Sequence, residues 1–255
     1  MPYILILLLC LFTQSARAQI EDYQVDLTPK VKDDVSVAQV LRSDDKAALR
    51  KLIADGLDVN KRDDEGDTLL VFTLANNTDL NMAKILLDAG ADVNAPSQRD
   101  GMTPLLVATS MANEVQKQTI RIYGDPDSIH QSRIVGDNIL EKIQEQMLYA
   151  NDIANLLIEY GADVNRLTPY GTPLMNACTN EWNMNIIDIL LEAGADVNKK
   201  DRNGRTALFY ASAFNCNQII SKLLAADADV EVRDVFGKAY MEVDKKDLLV
   251  DPTSK

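Results

Sequence analysis

The chain has 255 residues, a formal net charge of −13 and a pI near 4.5. A surface this acidic repels nucleic acid and anionic lipid and favours basic partners, and no Lys/Arg-rich run offsets it. The length suits one or two globular domains or one repeat array, and three cysteines without a CxxC or a His pair support neither a redox motif nor a zinc site.

The first element is an export signal. Ile4 to Phe12 is almost unbroken hydrocarbon, and Thr13-Gln14-Ser15-Ala16-Arg17-Ala18 ends in a small-x-small site, the layout of a secretory signal peptide over residues 1–18 cut after Ala18. The run falls short of the roughly 20 residues that span a membrane. Its n-region lacks Lys and Arg. Two other readings stay open: lipidation of Cys10, disfavoured by Leu9 before it, and a buried N-terminal helix. Loss of Arg17 with the signal would leave a mature charge of −14. The expected location is secreted across an inner membrane into the periplasm, although the Asn76-Asn77-Thr78 sequon leaves a eukaryotic secretory route open. Residues 19–36 read as an N-terminal extension.

Self-similarity dominates the rest. Four segments close alike, Gly56-Leu57-Asp58-Val59-Asn60, Gly90-Ala91-Asp92-Val93-Asn94, Gly161-Ala162-Asp163-Val164-Asn165 and Gly194-Ala195-Asp196-Val197-Asn198, with a degenerate fifth, Asp227-Ala228-Asp229-Val230-Glu231. Between them recur Gly66-x-Thr68-Leu69-Leu70, Gly101-x-Thr103-Pro104-Leu105, Gly171-Thr172-Pro173-Leu174 and Gly204-x-Thr206-Ala207-Leu208, and apolar cores such as Ile85-Leu86-Leu87 precede each close. The Thr residues suit N-caps, Pro104 and Pro173 a first turn, and the closing glycines a left-handed helix end. The Asp and Asn of each close suit tight turns by local side-chain bonds. One such helix pair cannot bury its own apolar face; stacked neighbours make Ile85, Leu156, Ile189 and Leu223 a shared core.

The period near 33 residues with these two phrases resembles the ankyrin repeat. The resemblance runs from about Val37 to Val243 and implies an all-α ankyrin-repeat solenoid. Residues 37–62 read as an N-terminal capping helix pair, 63–97 as repeat one, 98–166 as repeat two, 167–200 as repeat three, 201–233 as repeat four, and 234–255 as a C-terminal cap and solvated tail. The chain departs from the family in two ways. The His that usually follows T-P-L is replaced by Val71, Leu106, Met175 and Phe209, so its bonds must be lost or replaced by packing. Asp227 stands where Gly is expected.

Repeat two is stretched: Thr68 to Gly90 spans 22 positions, but Thr103 to Gly161 spans 58. A structureless loop of that size is unusual, and Ile139, Ile143, Met147, Ala150, Ala154 and Leu157 keep helical spacing. Val115, Ile120 and Ile122 prolong the first helix until Gly124-Asp125-Pro126-Asp127-Ser128 breaks it. The insertion, residues 113–149, is therefore expected to be an elongated helical hairpin, serving either as a contact element or as a local cap.

Catalytic readings fail. His130 is the single His, and nothing in its spacing builds a Ser-His-Asp arrangement. Asp63-Asp64-Glu65-Gly66-Asp67 misses the calcium-loop register, and no glycine loop cradles phosphate. A Cys178–Cys216 bridge exceeds the reach expected between neighbouring first helices. No cofactor or metal is implied, and the chain is not expected to be an enzyme; catalysis on a helical solenoid is the remote alternative. The resemblance implies a protein-binding module, monomeric when free, contacting its partner through turn tips and first-helix residues: Asp64, Glu65, Asp67, Arg99, Met102, Tyr170, Arg202, Asn203 and Arg205, with Met111, Asn180, Trp182 and Phe214 nearby. An inhibitor or immunity-type protein is the leading role and a general scaffold the alternative.

Overall fold

The computed structural model describes residues 32–76, 79–111 and 138–242, and only the backbone of 32–36, 138–144 and 146. The export signal, Cys10, most of the N-terminal extension, Asn77 and Thr78 of the sequon, Val115 to Ile122, the Gly124–Ser128 turn, His130 and the tail beyond Glu242 lie outside the described residues. Two compact units are resolved, Met1–Arg99 and Asp100–Lys255.

In the first unit, α1 (Lys32–Arg42), α2 (Lys46–Ala54), α3 (Leu69–Ala75) and α4 (Leu80–Asp88) form two helix pairs. Each of the last three starts on an oxygen side chain that accepts an orphan backbone N–H: Asp45 from Ala48, Thr68 from Val71 and Asp79 from Asn81. The apolar faces close over Leu41, Leu49, Leu70, Leu74, Met82 and Leu86, all fully buried. A Lys46–Asp79 ion pair ties the N-termini of α2 and α4, and it holds the Asp79 carboxyl below the usual carboxylate range.

In the second unit, residues 104–111 form α5. It is followed by α6 (Asn138–Glu159), α7 (Pro173–Ala177), α8 (Met184–Glu192), α9 (Ala207–Ala213) and α10 (Asn217–Ala225). Short 3-10 turns cover Glu181–Asn183 and Tyr240–Glu242. First helices pack on first helices, α7 against α9, and second helices on second helices, α6 against α8. The 22 residues of α6 span about 33 Å at 1.5 Å per residue. Within it Ala150, Ile153, Ala154 and Leu157 are fully buried, while Leu148 is exposed. The core differs from the expected one at one point: Ile189 is half-buried, and Ile186, Ile187 and Leu190 fill the interior instead.

The closing phrase works in two directions. Its Gly ends the second helix with a left-handed residue; Gly194, at φ 86°, donates to Leu191 O at 3.0 Å, and Ala195 donates to Leu190 O at 2.9 Å. Asp227 adopts the same conformation at φ 61° and keeps both bonds, to Leu224 O and, through Ala228, to Leu223 O. The Asp of the phrase bonds locally: Asp196 Oδ1 accepts from Asn198 N–H at 2.9 Å. The Asn does not. Asn165 Nδ2 donates to Gly194 O at 3.0 Å, and its Oδ1 accepts from Asp196 N–H at 2.7 Å, so one amide bridges two repeats. Asn60 spans the same way to Gly90 and Asp92, and Asn198 to Asp227 and Asp229. The local role expected for both residues holds for Asp alone.

The missing His is replaced by packing. Val71, Leu106, Met175 and Phe209 are all buried, and Met175 Sδ accepts from Thr172 N–H at 3.3 Å. Thr68, Thr103 and Thr172 cap their helices as expected. Thr206 does not. Phe209 N–H instead donates to the Thr206 carbonyl at 3.0 Å, leaving the buried hydroxyl without a bond. Cys178 and Cys216 are both buried and form no disulfide with each other, Cys178 capping the C-terminus of α7 and Cys216 opening α10. Burial, with the second thiol nearby, pushes the Cys178 thiol up.

Candidate functional site

The turn tips precede the first helices, and in repeats one and four and in the cap each is built on one Asp. Asp201 Oδ1 accepts from Asn203 N–H and Arg205 N–H, both at 2.8 Å, and Gly204 N–H returns to Asp201 O at 3.0 Å. Asp63 does the same for Glu65, Asp67 and Gly66, and Asp234 for Phe236, Lys238 and Gly237. In repeat three Thr168 takes over, its hydroxyl accepting from Tyr170 N–H at 3.1 Å. The acid that opens a tip thereby holds the turn, and the residue after it faces solvent at Asp64, Arg202 and Val235; the second residue is exposed at Glu65 and Phe236 and buried at Asn203. The Asp63–Asp67 run forms this turn.

In the first unit, Asp64 and Glu65 are exposed. Asp67 is not. It is buried at 5%, bonded to Arg99 Nη2 at 2.9 Å, while Arg99 Nη1 pairs with Glu65. Arg99 and Asp67, expected as contact residues, instead lock one tip to the next.

In the second unit, Tyr170 is 49% exposed, and burial of its remainder beside Asp100 raises its phenol. Arg202 is exposed, and Met102, Met111, Trp182 and Phe214 are half-buried. Three expected contact residues are corrected. Asn180 is buried and caps the 3-10 turn, its Oδ1 accepting from Trp182 N–H at 3.0 Å. This places Trp182 in the turn between α7 and α8 rather than on a first helix. Asn203 is buried, and its carbonyl accepts from Val235 N–H at 2.8 Å. Arg205 is 1% exposed, its Nε paired with the buried Asp234 Oδ2 at 3.3 Å and its guanidinium 5.8 Å from the Phe236 ring. Phe214 packs with Tyr240 on Phe209, Ala213 and Val232.

Two surface residues escaped the sequence reading. Val235 and Phe236 stand exposed on the tip of the C-terminal cap. The signal was present: Gly237 follows Gly204 and Gly171 at the same spacing, which puts Val235 and Phe236 in register with Arg202-Asn203 and Pro169-Tyr170.

Among the described residues, no group of three or more His, Cys, Asp or Glu side chains is placed to hold a metal ion. No helix among them is long and apolar enough to cross a membrane.

Comparison with known proteins agrees with the geometry. Residues 37–120 and 146–234, well over half of the chain, match the sequence model for ankyrin repeats in three copies. A stretch of 60 residues is 40% identical to an ankyrin repeat protein of Fowlpox virus (strain NVSL), covering 24% of this chain and 12% of that protein. The chain thus spans about an eighth of the length of that curated relative.

Proposed function

The chain belongs to the ankyrin-repeat family, whose repeats are protein–protein interaction modules, and from that premise we propose that it is an exported binder that docks a partner protein on its turn tips and neutralises it. One observation carries the docking surface. Within each unit the side chain that opens a tip holds the turn while others are left in solvent, Asp64 and Glu65 in the first unit and Tyr170 and Arg202 in the second. Rigid presentation lowers the ordering cost of association. Exposed aromatics and arginines are the residue types that dominate interface energetics.

Export is supported by the Ile4–Phe12 run and the Ala16-Arg17-Ala18 site. N-terminal sequencing of the secreted protein should begin at Gln19; retention of Met1, or a lipid on Cys10, contradicts it. The net charge favours fast encounter with a basic partner. The paired test uses Tyr170→Ala with Arg202→Ala, and Asp64→Asn with Glu65→Gln, against the captured partner. The first pair should raise the dissociation rate and the second should slow association at low salt. Unchanged affinity in a folded protein removes the tips as the site. Loss of the partner's own activity on adding a stoichiometric amount of the chain marks an inhibitor; full activity in the complex marks a scaffold.

A further inference from the structure

The tips of repeat four and of the C-terminal cap carry a chemistry the others lack. Val235 and Phe236 are 63% and 51% exposed, at register positions held by Asp64 and Glu65 in repeat one. The turn itself does not require them. Phe236 serves it only through its N–H, donated to Asp234 Oδ1 at 2.9 Å, a bond that Glu65 makes equally well with Asp63. Yet the ring is held. The Arg205 guanidinium lies against it, and that guanidinium is fixed in turn by the buried Asp234. The Val235 N–H bond to Asn203 O joins the two tips at the residue that follows Arg202 in the chain.

The local charge opposes that of the whole chain. Lys200, Arg202 and Arg233 are exposed. The nearby carboxylates are mostly engaged. Asp201 holds two backbone N–H groups and the Tyr210 hydroxyl. Asp234 holds Arg205 and two backbone N–H groups. Glu242 accepts from Ala239 N–H and lies 3.9 Å from Arg233. Glu231 and Glu242 are both exposed acids near Arg233. Among the described residues Lys200 and Arg202 make no ion pair.

We propose that these two tips form a docking subsite for an acidic segment of the partner protein, which sets an aromatic or aliphatic side chain against Phe236 and Val235 and pairs its carboxylates with Lys200, Arg202 and Arg233. The subsite rests on the tip-face reading above and names the chemistry of what docks there. Net charge steers encounter from a distance, whereas contact chemistry at a few side chains selects what binds. The acidic segment therefore belongs to a partner whose overall charge can still be positive.

The test is selection of a displayed random-peptide library on the folded full chain, followed by titration of the enriched peptides, made synthetically, against variants. Enriched sequences should combine Asp or Glu with an aromatic or branched aliphatic residue. Their affinity should fall about thirtyfold with Phe236→Ala. With Lys200→Glu and Arg202→Glu together it should fall about tenfold, and that second loss should shrink at high salt. Thermal melts of each variant guard against unfolding, and the charge reversals, at exposed positions, keep the test open should Phe236→Ala unfold the cap. Peptides that respond to Tyr170→Ala or Glu65→Gln but to neither change here overturn the subsite and leave the tip face standing. Peptides that respond to no tip substitution overturn both.

Discussion

Replacing Asn165 by Ala separates a repeat-to-repeat role from a local one. The side chain makes two bonds, to Gly194 O at 3.0 Å and from Asp196 N–H at 2.7 Å, and both partners belong to the following repeat. Each net bond is worth about 0.5–1.5 kcal/mol, and because these lie near solvent water can take over the freed backbone groups. The expected loss is therefore about 1–2 kcal/mol rather than the larger penalty of a buried orphan. Glu231 supplies the control. It occupies the Asn position of the last phrase, is exposed, and its N–H bonds locally to Asp229 Oδ1 at 2.9 Å. Glu231→Ala should change stability by less than about 0.5 kcal/mol. The assay is urea unfolding followed by circular dichroism, with the slope checked to be common to both variants. Equal effects at the two positions, or a loss at Asn165 below about 0.3 kcal/mol, would refute the bridging role.

Other outcomes follow from the same geometry. Arg205→Ala strands Asp234 in the interior with only its two backbone donors, so the cap should lose roughly 3–5 kcal/mol, read as an earlier denaturant midpoint. Asp227→Gly relieves a left-handed non-glycine costing about 1–2 kcal/mol and returns about 0.4–1 kcal/mol in unfolded-chain entropy, for a net gain near 0.5 kcal/mol in the same assay. Burial raises the Cys178 thiol above 9.0 and, with Asp201 beside it, the Tyr210 phenol above 10.0. Both shifts disfavour the ionised form in the folded state. Stability should therefore be complete below pH 9 and decline above it, at up to about 1.4 kcal/mol per pH unit for each group. A flat profile between pH 9 and 11 would contradict that burial, as would reaction of either thiol with iodoacetamide before unfolding.

The repeat phrases made the helices and their ends legible because capping and left-handed turns are local chemistry, written within a few residues of Thr172 or Gly194. What escaped the sequence was non-local. Arg205 sits in a tip and reads as a surface cation; its burial depends on Asp234, one repeat further on. Asn203 and Asp67 are withdrawn for the same reason, by bonds from the neighbouring tip. The amide of Asn165 has a local option in an Asx turn, and only the adjacent repeat decides against it. Thr206 shares the position of Thr68 and Thr172, but its helix begins with a tighter turn, Phe209 N–H donating to the Thr206 carbonyl in place of the hydroxyl. Tyr170 and Arg202 read as surface from their place in the turns, and both are exposed. Phe236 was legible through the register of Gly237, although Lys238-Ala239-Tyr240-Met241 stands after it in place of the T-P-L phrase.

Site-specific photo-crosslinking tests the central claim most directly. A benzophenone amino acid is placed singly at Tyr170, at Phe236, and at the exposed second-helix positions Lys84 and Ser221, and each chain is irradiated with its partner bound. Docking on the tips predicts covalent partner adducts from positions 170 and 236 and none from 84 or 221. Adducts confined to positions 84 and 221, with binding intact in all four chains, would contradict it.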